Sequence, residues 1–157
     1  MVNRSDIETF WTRGDIHSRI HKAMSEAGLN DRKLEIEDLF PIDQYHARGI
    51  AATVDLGKRM PISENQRIID IGCGLGGPAR YFAKQFKCFI RGIDITPSFI
   101  EIGNKFNNLT SMSKQVSLQI GNGETLDFED ETFDGGYSQH VTMNIKNRKD
   151  FFLEAFR

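Results

Sequence analysis

The spacing of apolar positions changes partway along the chain, and the change divides it near residue 64. Upstream, Ile7, Phe10, Trp11, Ile16, Ile20, Met24 and Ala27 recur at roughly three- and four-residue steps, which lays them on one face of a helix. Gly28, with Asn30 just beyond, supplies its stop. Residues 31–44 contain Pro41 and mixed charges, and read as a loop with a short helix at most. A second helix is expected over 45–56, with Ala47, Ile50, Ala51 and Val54 on one face and Gly57 at its end. Downstream, β-rich runs alternate with helical ones. Residues 67–71, 89–94, 115–120 and 133–139 read as strands, and 78–86, 97–107 and 148–157 as helices. Thr96 is a fitting N-cap for the middle helix and Pro97 suits its first turn. The order β-α-β-α-β-β-α predicts an α/β fold: a parallel sheet with helices on its faces. The expected organisation is N-terminal helices over 1–64 and a sheet core over 65–157.

The first strand runs into Asp70-Ile71-Gly72-Cys73-Gly74-Leu75-Gly76-Gly77, just before its helix. Gly72, Gly74 and Gly77 satisfy G-x-G-x-x-G, a pattern shared by several nucleotide-binding turns. A bare strand-to-helix turn needs one glycine, not four, whereas a ligand that approaches the backbone needs positions without a Cβ. Asp70 discriminates among ligands. A carboxylate here repels the pyrophosphate of a dinucleotide and suits a ligand carrying an ammonium or a sulfonium. A carboxylate that caps the helix is the alternative reading.

Asp94 ends the second strand, with Ile95 after it, where an acidic side chain accepts hydrogen bonds from ribose hydroxyls. Gly121-Asn122-Gly123-Glu124 follows the third strand and offers an amide and backbone N–H groups to an adenine edge, although a plain turn has the same composition.

These features together resemble the class I S-adenosylmethionine (SAM)-dependent methyltransferases over residues 66–157. Asp70–Gly77 matches the family's glycine loop, including Gly72, Cys73, Gly74 and Gly76. Asp94 matches its ribose acid, and Asn122 with Gly123 its adenine pair, with Asn122 standing where Asp is common. A narrower likeness lies in Pro41-Ile42-Asp43-Gln44-Tyr45-His46-Ala47-Arg48-Gly49 and in Ser138-Gln139-His140-Val141-Thr142-Met143-Asn144-Ile145. It is to the sarcosine/dimethylglycine methyltransferase-like group (methyltransferase type 11), which methylates small molecules, in some members an amine.

The resemblance implies a Rossmann-like sheet with N-terminal helices folded over SAM. It puts Gln44 and His46 near the methionine end, and Gln139 and His140 beside the transferring methyl. His140 is the candidate proton acceptor, since histidine titrates near neutral pH; a polar wall against the cofactor is the other reading. No metal is implied. The family's sheet runs 3-2-1-4-5-7-6, and this chain supplies 3-2-1-4. A C-terminally truncated member is therefore expected, with an exposed fourth strand and last helix through which two copies pair. A small-molecule methyltransferase is the leading expectation. A SAM-binding remnant without catalysis and a nicotinamide-dependent oxidoreductase stand behind it.

Composition acts by exclusion. The 157 residues are 39% hydrophobic and 27% charged with a net charge of −2, so no basic field marks a nucleic-acid partner. No apolar run approaches the roughly 20 residues that cross a bilayer, and MVNRSDIETFW has no signal-peptide core. Cys73 and Cys88 make neither a disulfide framework nor a zinc site, and a reducing cytoplasm is the expected setting. His17, His21 and the run Glu129-Asp130-Glu131 read as solvated surface, and nothing activates Cys73 as a nucleophile.

Overall fold

A computed structural model describes residues 16–29 and 33–157. Ile7, Phe10 and Trp11 of the first expected helix face lie outside the described residues, as does Asn30. In chain order the elements are α1 (Ile16–Glu26), α2 (Ile36–Asp43), α3 (Ile50–Gly57), β1 (Arg67–Ile71), α4 (Gly77–Phe86), β2 (Phe89–Asp94), α5 (Pro97–Leu109), β3 (Val116–Ile120), β4 (Gly135–Tyr137), a 3₁₀ turn (Thr142–Asn144) and α6 (Arg148–Phe156). The strands form one sheet, parallel as the alternation of strands and helices predicts, in the order β3-β2-β1-β4 that the family resemblance implies.

β1 is central and buried on both faces, which is why Ile68, Ile69 and Ile71 form a near-continuous apolar run. One cluster joins Ile68 to Phe82, Ala83, Ile90, Val116 and Leu118, and draws in Ile36 from α2. A second joins Ile16, Ile20 and Leu39 of the N-terminal helices to Leu75 and to Phe99, Ile102 and Phe106 of α5. On the other face Ile69, Ile71 and Ile93 pack against Phe151 of α6.

Three segments differ from the sequence reading. The stretch read as mostly loop contains α2, a helix of eight residues that runs through Pro41. A reciprocal cap between Glu35 and Asp38, together with burial of Ile36 and Leu39, outweighs the N–H that Pro41 lacks. The helix expected over 45–56 begins only at Ile50, because Arg48 and Gly49 adopt positive φ and form a turn. The fourth strand keeps three of its seven expected residues. Gly135 and Gly136 are exposed and contribute no side chain to packing. At its two ends side chains extend the ladder: Asp134, whose N–H donates to the Arg67 carbonyl, also accepts from the Arg67 N–H through its carboxylate, and the Ser138 hydroxyl donates to the Ile71 carbonyl.

Arg80 of α4 is fully buried and ties these layers together. Its guanidinium donates to Asp43 Oδ2 on α2 (3.0 Å), to the Leu75 carbonyl in the glycine turn, and to Gly103 O (3.1 Å) and Asn107 Oδ1 (2.6 Å) on α5. It also lies 5.6 Å from the centre of the Phe106 ring. Asn107 in turn donates to the Val116 carbonyl of β3. Gly77 allows the closeness: a Cβ there would sit 2.5 Å from the Asp43 carbonyl oxygen. Arg80→Ala strands the Asp43 carboxylate and several carbonyls, so unfolding by urea should show a loss of about 3–5 kcal/mol. A loss below about 1 kcal/mol would show that the pair does not hold the layers.

Candidate cofactor site

The parallel strands end together, and a cavity of about 350 Å³ opens beyond the carboxyl ends of β1 and β2. The chain order turns from one side of β1 to the other at this point, which is where open α/β sheets place ligands. The volume is at the small end of the range for ligand pockets. Asp70, Gly72, Cys73 and Gly74 line one wall, Asp94 and Ile95 the next, and Asn122 and Gly123 the third. His46 comes in from the turn before α3, and Gln139 and His140 from the segment after β4. Ten of the twelve residues expected to bind cofactor, and the expected proton acceptor His140, thus line one cavity.

The other two stand behind its wall. Gly76 caps α4 at φ +77, and the space where its Cβ would go is filled by Leu118 and Arg80. Gln44 is 7% exposed and its carbonyl accepts from the Thr53 hydroxyl at 2.7 Å. Gly74 is the open position: it has φ +53, and nothing lies within 4 Å of an added Cβ. A ligand can therefore reach the main chain there.

Each expected contact group already has a partner, which narrows what it has left to give. Asp94 accepts from Gly74 N–H through Oδ2 and from Thr96 N–H through Oδ1, both at 2.9 Å. Those bonds, with further donation from the Thr96 side chain and the Ile95 backbone, hold the carboxylate against the glycine turn. Asn122 Oδ1 accepts from Glu124 N–H at 3.0 Å, so the amide NH₂ is the part left to meet a ligand. Asp70 Oδ2 accepts from the buried Tyr137 hydroxyl at 2.8 Å. Asp70 therefore braces β1 against β4 rather than capping α4. Sequence reasoning did not single out Tyr137. The only signal was its register, since Tyr137 pairs with Asp70 across the two strands.

At the opposite rim the His46 and His140 rings stack with centroids 5.4 Å apart and planes 14° from parallel. His140 holds a left-handed backbone at φ +59, a strained conformation for a non-glycine residue that is common where a side chain must be aimed. Burial, with a smaller contribution from His140, holds His46 below the usual imidazole range. Burial also pushes the Cys73 thiol well up, which keeps it inert. Among the described residues no group of three metal-ligating side chains gathers.

Burial pushes the Asp70 carboxyl up to about 7, against the pull of the Tyr137 hydroxyl and with added repulsion from Asp94. A raised acid binds its proton more tightly folded than unfolded, so it costs stability as pH climbs from near 4 to about 7. Wild-type unfolding free energy should therefore fall across that window relative to Asp70→Asn, with a difference in slope on the order of 1 kcal/mol per pH unit. Parallel pH profiles for the two proteins would contradict the buried, raised carboxyl.

Comparison with known proteins agrees with this fold. Residues 69–157 match the family model described as a methyltransferase domain. The methyltransferase phqN of Penicillium fellutanum is 34% identical over 102 residues, which is 65% of this chain and 31% of that protein. Among solved structures, geranyl diphosphate C-methyltransferase from Streptomyces coelicolor superposes with a TM-score of 0.64 at 19% identity, covering 68% of this chain and 41% of that one. A putative sarcosine dimethylglycine methyltransferase from Galdieria sulphuraria gives 0.59 at 21%, covering 67% and 38%. The chain thus spans well under half the length of these proteins. With its Rossmann-like 3-2-1-4 sheet and a domain match over more than half its residues, the chain belongs to the methyltransferase type 11 domain family.

Proposed function

We infer that the cavity binds S-adenosyl-L-methionine and that the chain serves methyl transfer from it to a small-molecule acceptor, an amine among the candidates. The observation that carries this reading is the pair Asp70 and Asp94, set at the ends of neighbouring strands on either side of an open Gly74. Two carboxylates at this distance from a bare backbone suit a ligand with an ammonium, a sulfonium and a ribose, and oppose a pyrophosphate. This argues against a nicotinamide cofactor. The donor set fits SAM further in the amide of Asn122 and the backbone at Gly123 for adenine, and in Ile95 as an apolar neighbour.

When bound, SAM supplies an activated methyl on its sulfonium. The chain's own residues then align and exclude water. Asp70 would receive the ammonium, Asp94 would take the ribose hydroxyls, and the backbone of Gly72, Cys73 and Gly74 would hold the methionine end. Gln139, His46 and His140 wall the acceptor side, and His140 takes a proton from the acceptor where the nucleophile carries one. Gln44 and Gly76 act from behind by holding His46 and α4 in place. The free, buried cysteines support a reducing cytoplasm as the setting. No helix among the described residues is long and apolar enough to cross a membrane.

Self-association is the partner reading we favour. Among the described residues β4 has a free edge, and α6 exposes Phe152, Leu153 and, at 92%, Phe156. Light scattering on the purified chain should give the mass of a dimer, and a monomer at high micromolar concentration would end that reading.

Calorimetric titration with S-adenosylhomocysteine should show micromolar binding that Asp94→Ala weakens at least about tenfold, the scale of one charged hydrogen bond removed. A flat titration would remove the cofactor assignment. NADH fluorescence should be unchanged by the chain, and enhancement would revive the nicotinamide reading.

A further inference from the structure

Behind the cavity wall a line of polar groups runs from Arg80 to His46. Arg80 donates to Asp43 Oδ2, and the Gln44 amide lies near enough to help draw the Asp43 carboxyl down against its burial, although Gln44 Nε2 and Asp43 Oδ1 make no hydrogen bond. That places the NH₂ of Gln44 toward Asp43 and its oxygen toward α3, because an amide oxygen facing a carboxylate is repelled. On α3, Thr53 is wholly buried, and its hydroxyl has three neighbours: Gln44 Oε1 at 2.7 Å, His46 Nε2 at 3.2 Å and Gln139 Oε1 at 3.4 Å.

A hydroxyl has one proton to give and two lone pairs with which to accept. Gln44 Oε1 is the nearest acceptor and is buried, so leaving it without a donor is costly, and it takes the proton. His46 Nε2 then meets a lone pair of Thr53 and must itself carry hydrogen. The ring's other nitrogen, Nδ1, lies 3.3 Å from the exposed Ala47 carbonyl and competes for the single proton of a neutral imidazole. Water can serve that exposed carbonyl, whereas of the hydroxyl's three neighbours only His46 can donate to its second side, both amides turning an oxygen toward it.

We propose that Thr53 is a positioning residue that holds neutral His46 as its Nε2–H tautomer. The acceptor side of the cavity then receives a ring of defined polarity: any proton His46 accepts goes to Nδ1, not to the nitrogen tied to α3. The functional importance of that polarity rests on the cofactor reading above, but the tautomer itself does not.

Long-range ¹⁵N–¹H correlation of the His46 ring, recorded on the 157-residue chain above its titration and without ligand, reads the tautomer directly. The expected result is an Nε2–H excess of about tenfold or more, the scale set by one buried unpaired polar group. Thr53→Val, which keeps shape and removes the hydroxyl, should move the population toward Nδ1–H, and Thr53→Ser should restore it. An Nδ1–H majority in the wild type would overturn the proposal, as would an unchanged ratio in a folded Thr53→Val chain. Because the wild-type spectrum decides alone, the test survives a Thr53→Val chain that does not fold. Failure to bind S-adenosylhomocysteine alongside an Nε2–H ring would remove the cofactor reading and leave the tautomer standing.

Discussion

A positive charge sealed away from water needs acceptors on every side, and here that requirement organises the molecule. Arg80 sits on the helix that leaves the glycine turn, so satisfying its guanidinium brings α2, the turn itself and α5 to one point. Burial draws the guanidinium below its ordinary range and the Asp43 carboxyl up to about 6, so each ion is held charged by the other. The N-terminal helices are therefore attached to the sheet core by an electrostatic contact with strict geometry, in addition to the packing of Leu39 and Ile16. Apolar contacts tolerate sliding; a fork of directed hydrogen bonds does not. The wall of the cavity that carries His46 inherits its position from this contact through Asp43 and Gln44.

Much of this arrangement was legible in the residues. The run of isoleucines in β1, the glycines after it and the acid closing β2 each follow from a local requirement and mark the parallel core and two walls of the cavity, whereas the sheet order and the placing of His46, Gln139 and His140 came from the family resemblance these residues carry. What escaped depended on contacts distant in sequence. α2 looked like a loop because Pro41 is a strong local breaker, and only the burial of Leu39 and the cap at Glu35 reverse that. Arg80 reads as one more polar position on an amphipathic helix, and nothing within the helix tells that its partners lie on other elements. Tyr137 and Thr53 are invisible for the same reason: their hydroxyls matter only through residues 67 and 9 positions away.

The cavity shows how one fold keeps two carboxylates close together in a half-dry site. Asp94 is held by backbone N–H donors, the strongest local means of lowering a carboxyl, yet burial still leaves it raised. Asp70 has only a phenol, and burial takes it further, to about 7. The pair is thus graded in charge near neutrality, with the fuller negative charge at β2 and a titrating group at β1. A cationic ligand arriving between them would draw Asp70 into its ionised form.

The shortness of β4 gives that grading a time dependence. A three-residue strand at the edge of a sheet, two of its residues exposed glycines, is the kind of element that opens locally long before the domain unfolds. Tyr137 is its last residue and the sole hydroxyl on Asp70. Each fraying of the edge would release the phenol and admit water to the acid, and since burial is what chiefly raises it, the acid's affinity for its proton would fall until the strand closes again. Amide exchange at the sheet's margin and proton exchange at the heart of the cavity are then two readings of one motion.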